Sequence, residues 1–395
     1  MSNNDKKTLL HLELISGIGS AVVHKICRGL LQQKEPNAYN DDVFLSAARL
    51  QTLPFSSLYE YSILSLQKTF GFSVSLAEKI KLGLQDKAML DQELEEINAN
   101  EISLYTVLDD DYPPLLRTIY LPPLVLYVNG ELPTVEKKHI AFVGSRDADS
   151  YAKKVVDYLV PPLVQQGWYI VSGGAVGVDT LAHQAALQQN GRTIAVLGSG
   201  ILNPYPALNK DLFDEIVEQE GAVISSFPLH AFPQKQNFPA RNRIIAGLSQ
   251  GTVVVRAASK SGALITAQFS LEQGRHVFAV PGSIFDELSQ GCHKLLMQGA
   301  KPVSEPNDIL EEFGDQAIRF NGSSLTFLDK QETLEQTCNE NEDPIMCHVV
   351  VPITFDELCL KTGLDFDDLQ DKLFQLQLSG KIKQNFAGFW EKTHE

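Results

Sequence analysis

From His139 onward the sequence alternates short β-branched runs with helix-length segments. The runs are IAFV (140–143), WYIVS (168–172), TIAVL (193–197), AVISS (222–226), TVVVR (252–256) and HVFAV (276–280). Each is apolar at consecutive positions, as a strand buried on both faces must be. Helical segments fall between them at 150–166, 179–190, 208–219, 241–249 and 262–273. This alternation predicts an α/β fold, a doubly wound parallel sheet of the Rossmann type. Such sheets bind ligands beyond the C-terminal ends of their strands, so the strand-end loops are the place to look for a site.

Upstream, residues 9–31 set two apolar helical stretches on either side of Gly17-Ile18-Gly19. The turn resembles a helix-hairpin-helix, whose backbone N–H groups can face a phosphate at a helix N-terminus. Glycine turns also join helices without a ligand, and the acidic balance here fits a structural or protein-contact role equally well. Periodic Leu and Ile over 41–100 predict further helices, which makes 1–100 a helical N-terminal domain of helix-hairpin-helix or SAM-like type. Residues 101–136 are rich in proline and apolar residues, end in a short strand at Val125–Val128, and read as a strap into the 137–313 core. The polar stretch 314–345 reads as a linker, and 346–395 as helix, helix and β-hairpin, a winged-helix domain. Its expected recognition helix carries Asp365, Asp367, Asp368 and Asp371 against Lys372. That face repels a phosphate backbone, so it predicts a protein contact or none.

A net charge of −16 argues against a generic polyanion binder. The acid lies on the flanks: 1–136 carries −7 and 314–395 carries −8, whereas 137–313 holds 15 Lys and Arg against 16 Asp and Glu. A local basic site in the core remains open. Cys27, Cys292, Cys338, Cys347 and Cys359 form neither a disulfide framework nor a CxxC pair. No apolar run is long enough for a membrane span, and the N-terminus lacks the apolar core of a signal peptide. A reducing cytoplasm is the expectation.

The strand ends carry the candidate chemistry. Gly144-Ser145-Arg146 follows the first core strand; Gly permits a sharp turn, Ser can donate to an anion, and Arg can grip a phosphate bidentately. SGGAVGVDTLAH (172–183) offers backbone N–H groups around Gly174, and its Asp179 is placed to cap the next helix. Gly198-Ser199-Gly200 and Lys260-Ser261-Gly262 end two further strands. Between Phe227 and Gly262 lie Phe232, Lys235, Phe238, Arg241, Asn242 and Arg243. Cations that track phosphates, interleaved with rings that stack bases, suit a single-stranded nucleic acid. The same residues also fit a core role for the rings and structural ion pairs for the arginines. Asp179 and His183 share a helix face, which fits a hydrogen-bonded structural pair better than a catalytic one, because no nucleophile is marked beside them. No Walker A lysine and no GxGxxG with its ribose-binding acid is present, so no nucleotide cofactor and no metal is expected.

AFVGSR, VSGGAVGVDTLAHQAAL, GSGILNPYP, FPARNRIIAGLS, SKSGALITA, GRHVFAVPGS and GCHKLLMQGA, in that order, resemble the DNA-processing protein A (DprA/Smf) family. The resemblance covers nearly the whole chain. It implies a non-enzymatic, cytoplasmic homodimer that binds single-stranded DNA, displaces single-strand-binding protein and loads a RecA-type recombinase in natural transformation. It implies a DNA pocket using Arg146, Lys235 and Phe238. This chain departs from the family pattern at Val176 (usually Arg), Ser226 (Glu), Arg256 (Glu) and His293 (Asn). One lost cation against two lost acids and a gained Arg256 predicts a pocket that stays cationic. The rival class in the same superfamily is a nucleotide-binding or phosphoribohydrolase-like enzyme. Its PGGxGTxxE stretch is answered here by Pro281-Gly282-Ser283-Ile284-Phe285-Asp286, without the second Gly, the Thr or the Glu.

Overall fold

The structure is a computed structural model that describes residues 3–34, 47–133, 138–314, 318–321, 324–327, 345, 346, 358, 362, 364, 366–384 and 390–392. It divides into two compact units, 1–328 and 329–395. The first opens with α1 (Asn3–Leu14), α2 (Ser20–Lys34), α3 (Ala47–Leu50), α4 (Ile63–Phe70), α5 (Val74–Gln85) and α6 (Lys87–Ala99). Ser62, Ser73 and Asp86 start α4, α5 and α6, each side-chain oxygen accepting from the backbone N–H three residues on. Gly71 ends α4 in the left-handed region at φ 61°, where a Cβ would be strained.

Strand β1 (Ser103–Thr106), α7 (Pro114–Arg117) and β2 (Val125–Gly130) follow. The chain then runs β3 (His139–Val143), α8 (Ser150–Gln165), β4 (Tyr169–Ser172), α9 (Val178–Leu187), β5 (Thr193–Val196), α10 (Lys210–Glu218) and β6 (Ala222–Ser225). It continues through α11 (Asn237–Leu248), β7 (Gly251–Val254), α12 (Gly262–Glu272), β8 (His276–Ala279), α13 (Gln290–Met297), β9 (Lys301–Pro302) and α14 (Asn307–Leu310).

These strands form one nine-stranded sheet in the order β1-β2-β6-β5-β4-β3-β7-β8-β9. The six expected core strands pair in parallel; β2 adds antiparallel to β6, and β1 antiparallel to β2. Alternate residues serve opposite faces. Ile140, Phe142, Ile170, Val253 and Phe278 share a core with α8 and α9, through Val156, Leu159 and Ala182. Ala141, Val143, Val171, Val254 and Ala279 face the other way, toward Ile244, Ile245 and Leu248 of α11 and Ala267 of α12.

The strap is pinned by arginines. Arg243 donates to the carbonyls of Tyr120 and Leu121, and Arg275 donates to Leu115 O at 3.1 Å. Residues 318–321 and 324–327 pair as antiparallel strands inside the stretch that reads as a linker.

The second unit holds a helix, Phe366–Leu378, and a hairpin pairing Ile382–Gln384 with Trp390–Lys392. Leu369, Leu373 and Leu376 bury one helix face with Ile345, Leu358 and Ile382, while Asp368 and Asp371 are exposed. Asp365 and three of the cysteines, Cys338, Cys347 and Cys359, lie outside the described residues; Cys27 and Cys292 are free and buried.

Candidate nucleic-acid interface

The chain leaves β3 toward β4 on one side and later adds β7 on the other, so the strand order reverses between β3 and β7. At such a switch point the loops diverge and open a crevice beyond the strand ends. A cavity of about 400 Å³ lies there. The β3 end contributes Gly144, Ser145 and Arg146 to its wall, α11 contributes Phe238, Arg241 and Asn242, and the start of α12 contributes Lys260, Ser261 and Gly262. Gly174, Lys235 and Arg243 stand outside that wall. Asp147, Ile265 and Leu288 also line it. Asp147 adjoins the Gly144-Ser145-Arg146 motif, and nothing in the sequence marks Ile265 or Leu288.

The sequence predicts α11 from residue 241; the helix starts at Asn237, so Phe238 stands in its first turn and not in a loop. Pro239 does not stop it, because the first-turn N–H groups have no intrahelical partner to lose. Phe238 is half-buried. Its ring lies 5.7 Å from the Arg146 guanidinium and 5.9 Å from that of Arg241, both within cation–π range. Tyr205 meets the same ring at a centroid distance of 5.8 Å and an interplanar angle of 60°. A Cβ at Gly198 would stand 3.1 Å from Phe238, so the β5 loop admits the ring because it has glycine there.

Arg241 is buried and donates to the carbonyls of Gly173 and Val196, with Nε donating to Asn242 Oδ1 at 3.1 Å. Burial pulls its pKa down to about 10 against the opposing pull of Asp179. Asn242 donates in turn to Gly262 O at 3.3 Å and so links α11 to the start of α12, where the Ser261 hydroxyl accepts from Ala263 N. Arg243 is taken up by the strap carbonyls, and burial lowers its pKa. Lys235 is exposed on the loop ahead of α11. Gly174, at φ 65°, packs under Phe213, and its carbonyl accepts from Asn209 Nδ2 at 2.8 Å. Gly177, at φ 90°, lies so close to the carbonyls of Ser145 and Arg146 that a Cβ would clash with both.

Three expectations are corrected. Asp179 does not cap α9: buried, it accepts from Gly173 N at 3.1 Å and Ala175 N at 3.3 Å, and burial raises its pKa. It does not pair with His183 either. Thr193 donates its hydroxyl proton to Ile170 O at 2.7 Å, so it accepts from His183 Nδ1 at 2.7 Å, which fixes the tautomer. Burial then holds the His183 pKa down to about 3. Arg256 adds no free positive charge to the pocket. Its guanidinium is buried, donates to Asp286 and to Ser289 Oγ at 2.9 Å, and pairs with Asp149 at 2.6 Å. His293 reaches the Gly282 carbonyl at 3.0 Å.

Residues 103–314 match the sequence model of a family described as DNA recombination-mediator protein A. The chain belongs to that family. A DNA processing protein DprA of Bacillus subtilis is 42% identical over 220 residues, 55% of this chain and 74% of that protein. A protein Smf of Synechocystis is 34% identical over 350 residues, 81% of this chain and 87% of its own. The X-ray structure of DprA from Streptococcus pneumoniae superposes with a TM-score of 0.62 at 34% identity, covering 79% of this chain and 98% of that one. The DprA-family part of the chain thus runs from β1 to α14 and includes every wall of the crevice. No helix among the described residues is long and apolar enough to cross a membrane.

Proposed function

We propose that this DprA-family chain binds single-stranded DNA in the switch-point crevice and acts as a recombination mediator. The observation that carries the reading is the half-buried Phe238 ring with the Arg146 guanidinium 5.7 Å and the Arg241 guanidinium 5.9 Å from its centre. A ring presents a π-face to any base, and the exposed Arg146 beside it can hold a neighbouring phosphate. Gly144, Ser145, Asn242, Lys260, Ser261 and Gly262 bring polar groups to the same cavity, and exposed Lys235 extends the cationic side of the strand path. Membership in the family supports the rest: a cytoplasmic homodimer that displaces single-strand-binding protein and loads a RecA-type recombinase.

The action is binding without catalysis. Asp179 and His183, the pair with catalytic spacing, are each committed to other partners. The 1–100 helices serve as a helix-hairpin-helix or SAM-like domain, and 346–395 as a winged helix whose acidic face meets protein or nothing, and not DNA.

Fluorescence polarisation with labelled oligo-dT and with a blunt duplex tests the reading. Oligo-dT binds tightly and loses affinity as salt rises, because phosphate contacts release counterions. Equal affinity for the two probes refutes it. Thermal stabilisation by mononucleotides, with none from oligo-dT, would favour the phosphoribohydrolase-like alternative.

A further inference from the structure

We infer that Tyr205 is a second base-stacking platform, so that the crevice engages two nucleotides on two rings. The inference rests on the single-strand reading of the crevice and deepens it.

Tyr205 lies in the loop after β5, the same loop in which Gly198 makes room for the Phe238 ring. The residue is 45% exposed, although its ring centre lies 5.8 Å from that of Phe238. A tyrosine with only a core role buries its ring; one left half in water beside a second aromatic offers a free face. The 60° angle between the rings decides how many bases fit. Parallel rings could sandwich one base between them. Rings tilted at 60° present their open faces in different directions, so each takes its own base and the strand turns between them.

The platform is also rigid. Asn209, four residues on, is buried and donates through Nδ2 to Gly174 O and to Thr180 Oγ1, each at 2.8 Å. Its own N–H donates to Pro206 O at 3.0 Å. Ahead of Tyr205, Gly200 N donates to Ala231 O at 2.9 Å and Leu202 N to Leu229 O at 3.0 Å. The loop is therefore tied to the β4–α9 loop and to the β6–α11 loop. A ring held in place loses little freedom when a base stacks on it.

Arg146, Lys260 and the Ser261–Gly262 helix start line the cavity with Phe238, whereas Tyr205 stands outside that wall and reaches it only through the Phe238 ring. Tyr205 thus prolongs the path beyond the cationic end. Its contribution comes from the base and not from the backbone.

The test uses the full chain, labelled oligo-dT and a matched oligomer of abasic residues. Tyr205→Ala weakens oligo-dT binding about tenfold, Tyr205→Phe keeps wild-type affinity, and neither changes the slope against salt. Binding of the abasic oligomer is the same for wild type and Tyr205→Ala, because no base is there to stack. Adding oligo-dT to Tyr205→Trp quenches the new indole fluorescence. Equal losses on both probes would mean that Tyr205 only shapes the loop, and would overturn the inference. So would wild-type affinity in Tyr205→Ala while Phe238→Ala loses binding, which leaves the crevice reading standing. If Phe238→Ala also binds as wild type, the crevice reading falls and takes this inference with it.

Discussion

Arg241 and Asp179 meet through a single residue: the guanidinium donates to the Gly173 carbonyl, and the Gly173 N–H donates to the Asp179 carboxylate. Both side chains are buried, at 5% and 8% exposure, and a Cβ at Gly173 would strike each of them. The arginine that sequence reading assigns to DNA therefore also holds the β4 loop to α11, and with it the Phe238 ring. Arg241→Ala takes the buried donor from the Gly173 and Val196 carbonyls and removes the cation that opposes the burial of Asp179, which costs about 1–3 kcal/mol for each group left unsatisfied. Arg241→Lys also destabilises, because an ammonium cannot reproduce the fork. Thermal melts of the two variants check this, with both expected well below wild type.

Phe238 and the cations separate on different axes. Phe238→Ala weakens oligo-dT binding by about 1–3 kcal/mol and leaves the salt slope unchanged. Lys235→Ala and Arg146→Ala each lower the slope of log affinity against log salt by about 0.7. Polarisation titrations at several salt concentrations, with melting temperatures on the same samples, distinguish lost contact from lost fold.

Two buried histidines make the fold acid-sensitive. Burial lowers the His183 pKa to about 3 and the His139 pKa to about 4. Below the ordinary histidine range the unfolded chain takes up protons that the folded chain refuses. Stability is therefore fully present above about pH 6.5 and falls as pH drops toward 4, by about 1.4 kcal/mol per pH unit for each histidine. Denaturant midpoints at pH 7, 6 and 5 measure the slope, and His183→Asn is expected to flatten it.

Arg256 balances Asp149 and Asp286. Arg256→Glu gathers three carboxylates at one place. With the two aspartates partly exposed, the expected loss is about 2 kcal/mol, seen as a lower melting temperature. Oligo-dT affinity measured below that melting temperature stays near wild type.

Residues 1–328 form a compact unit by themselves. Deleting 329–395 is expected to change oligo-dT affinity less than twofold. A large loss in a truncation that still melts cooperatively would assign DNA contact to the C-terminal unit.

The parallel strands were legible because burial on both faces leaves an unbroken β-branched run. β1 and β9 were not: SLYT is half-exposed and mixed in character, and Lys301–Pro302 is two residues long. The crevice was legible as a set of strand-end motifs, but the assignment within RNR was not made. Positions i and i+2 on a helix face different ways, so Arg241 and Arg243 could not both serve one pocket. The structure sends Arg243 to the strap and buries Arg241 under the ring. Arg256 was read by its charge alone, because its two aspartate partners are remote in sequence.

The strand-order reversal has a consequence for synthesis. One wall of the crevice follows β3 and the opposite wall begins at Lys260, with four further strands and their helices made in between. A nascent chain that has emerged only as far as α11 has Arg146 and Phe238 but lacks the α12 side, so it has nowhere to seat a strand. Domains fold as units as they leave the ribosome. The complete crevice therefore forms late, once the start of α12 joins the β3 end in its wall.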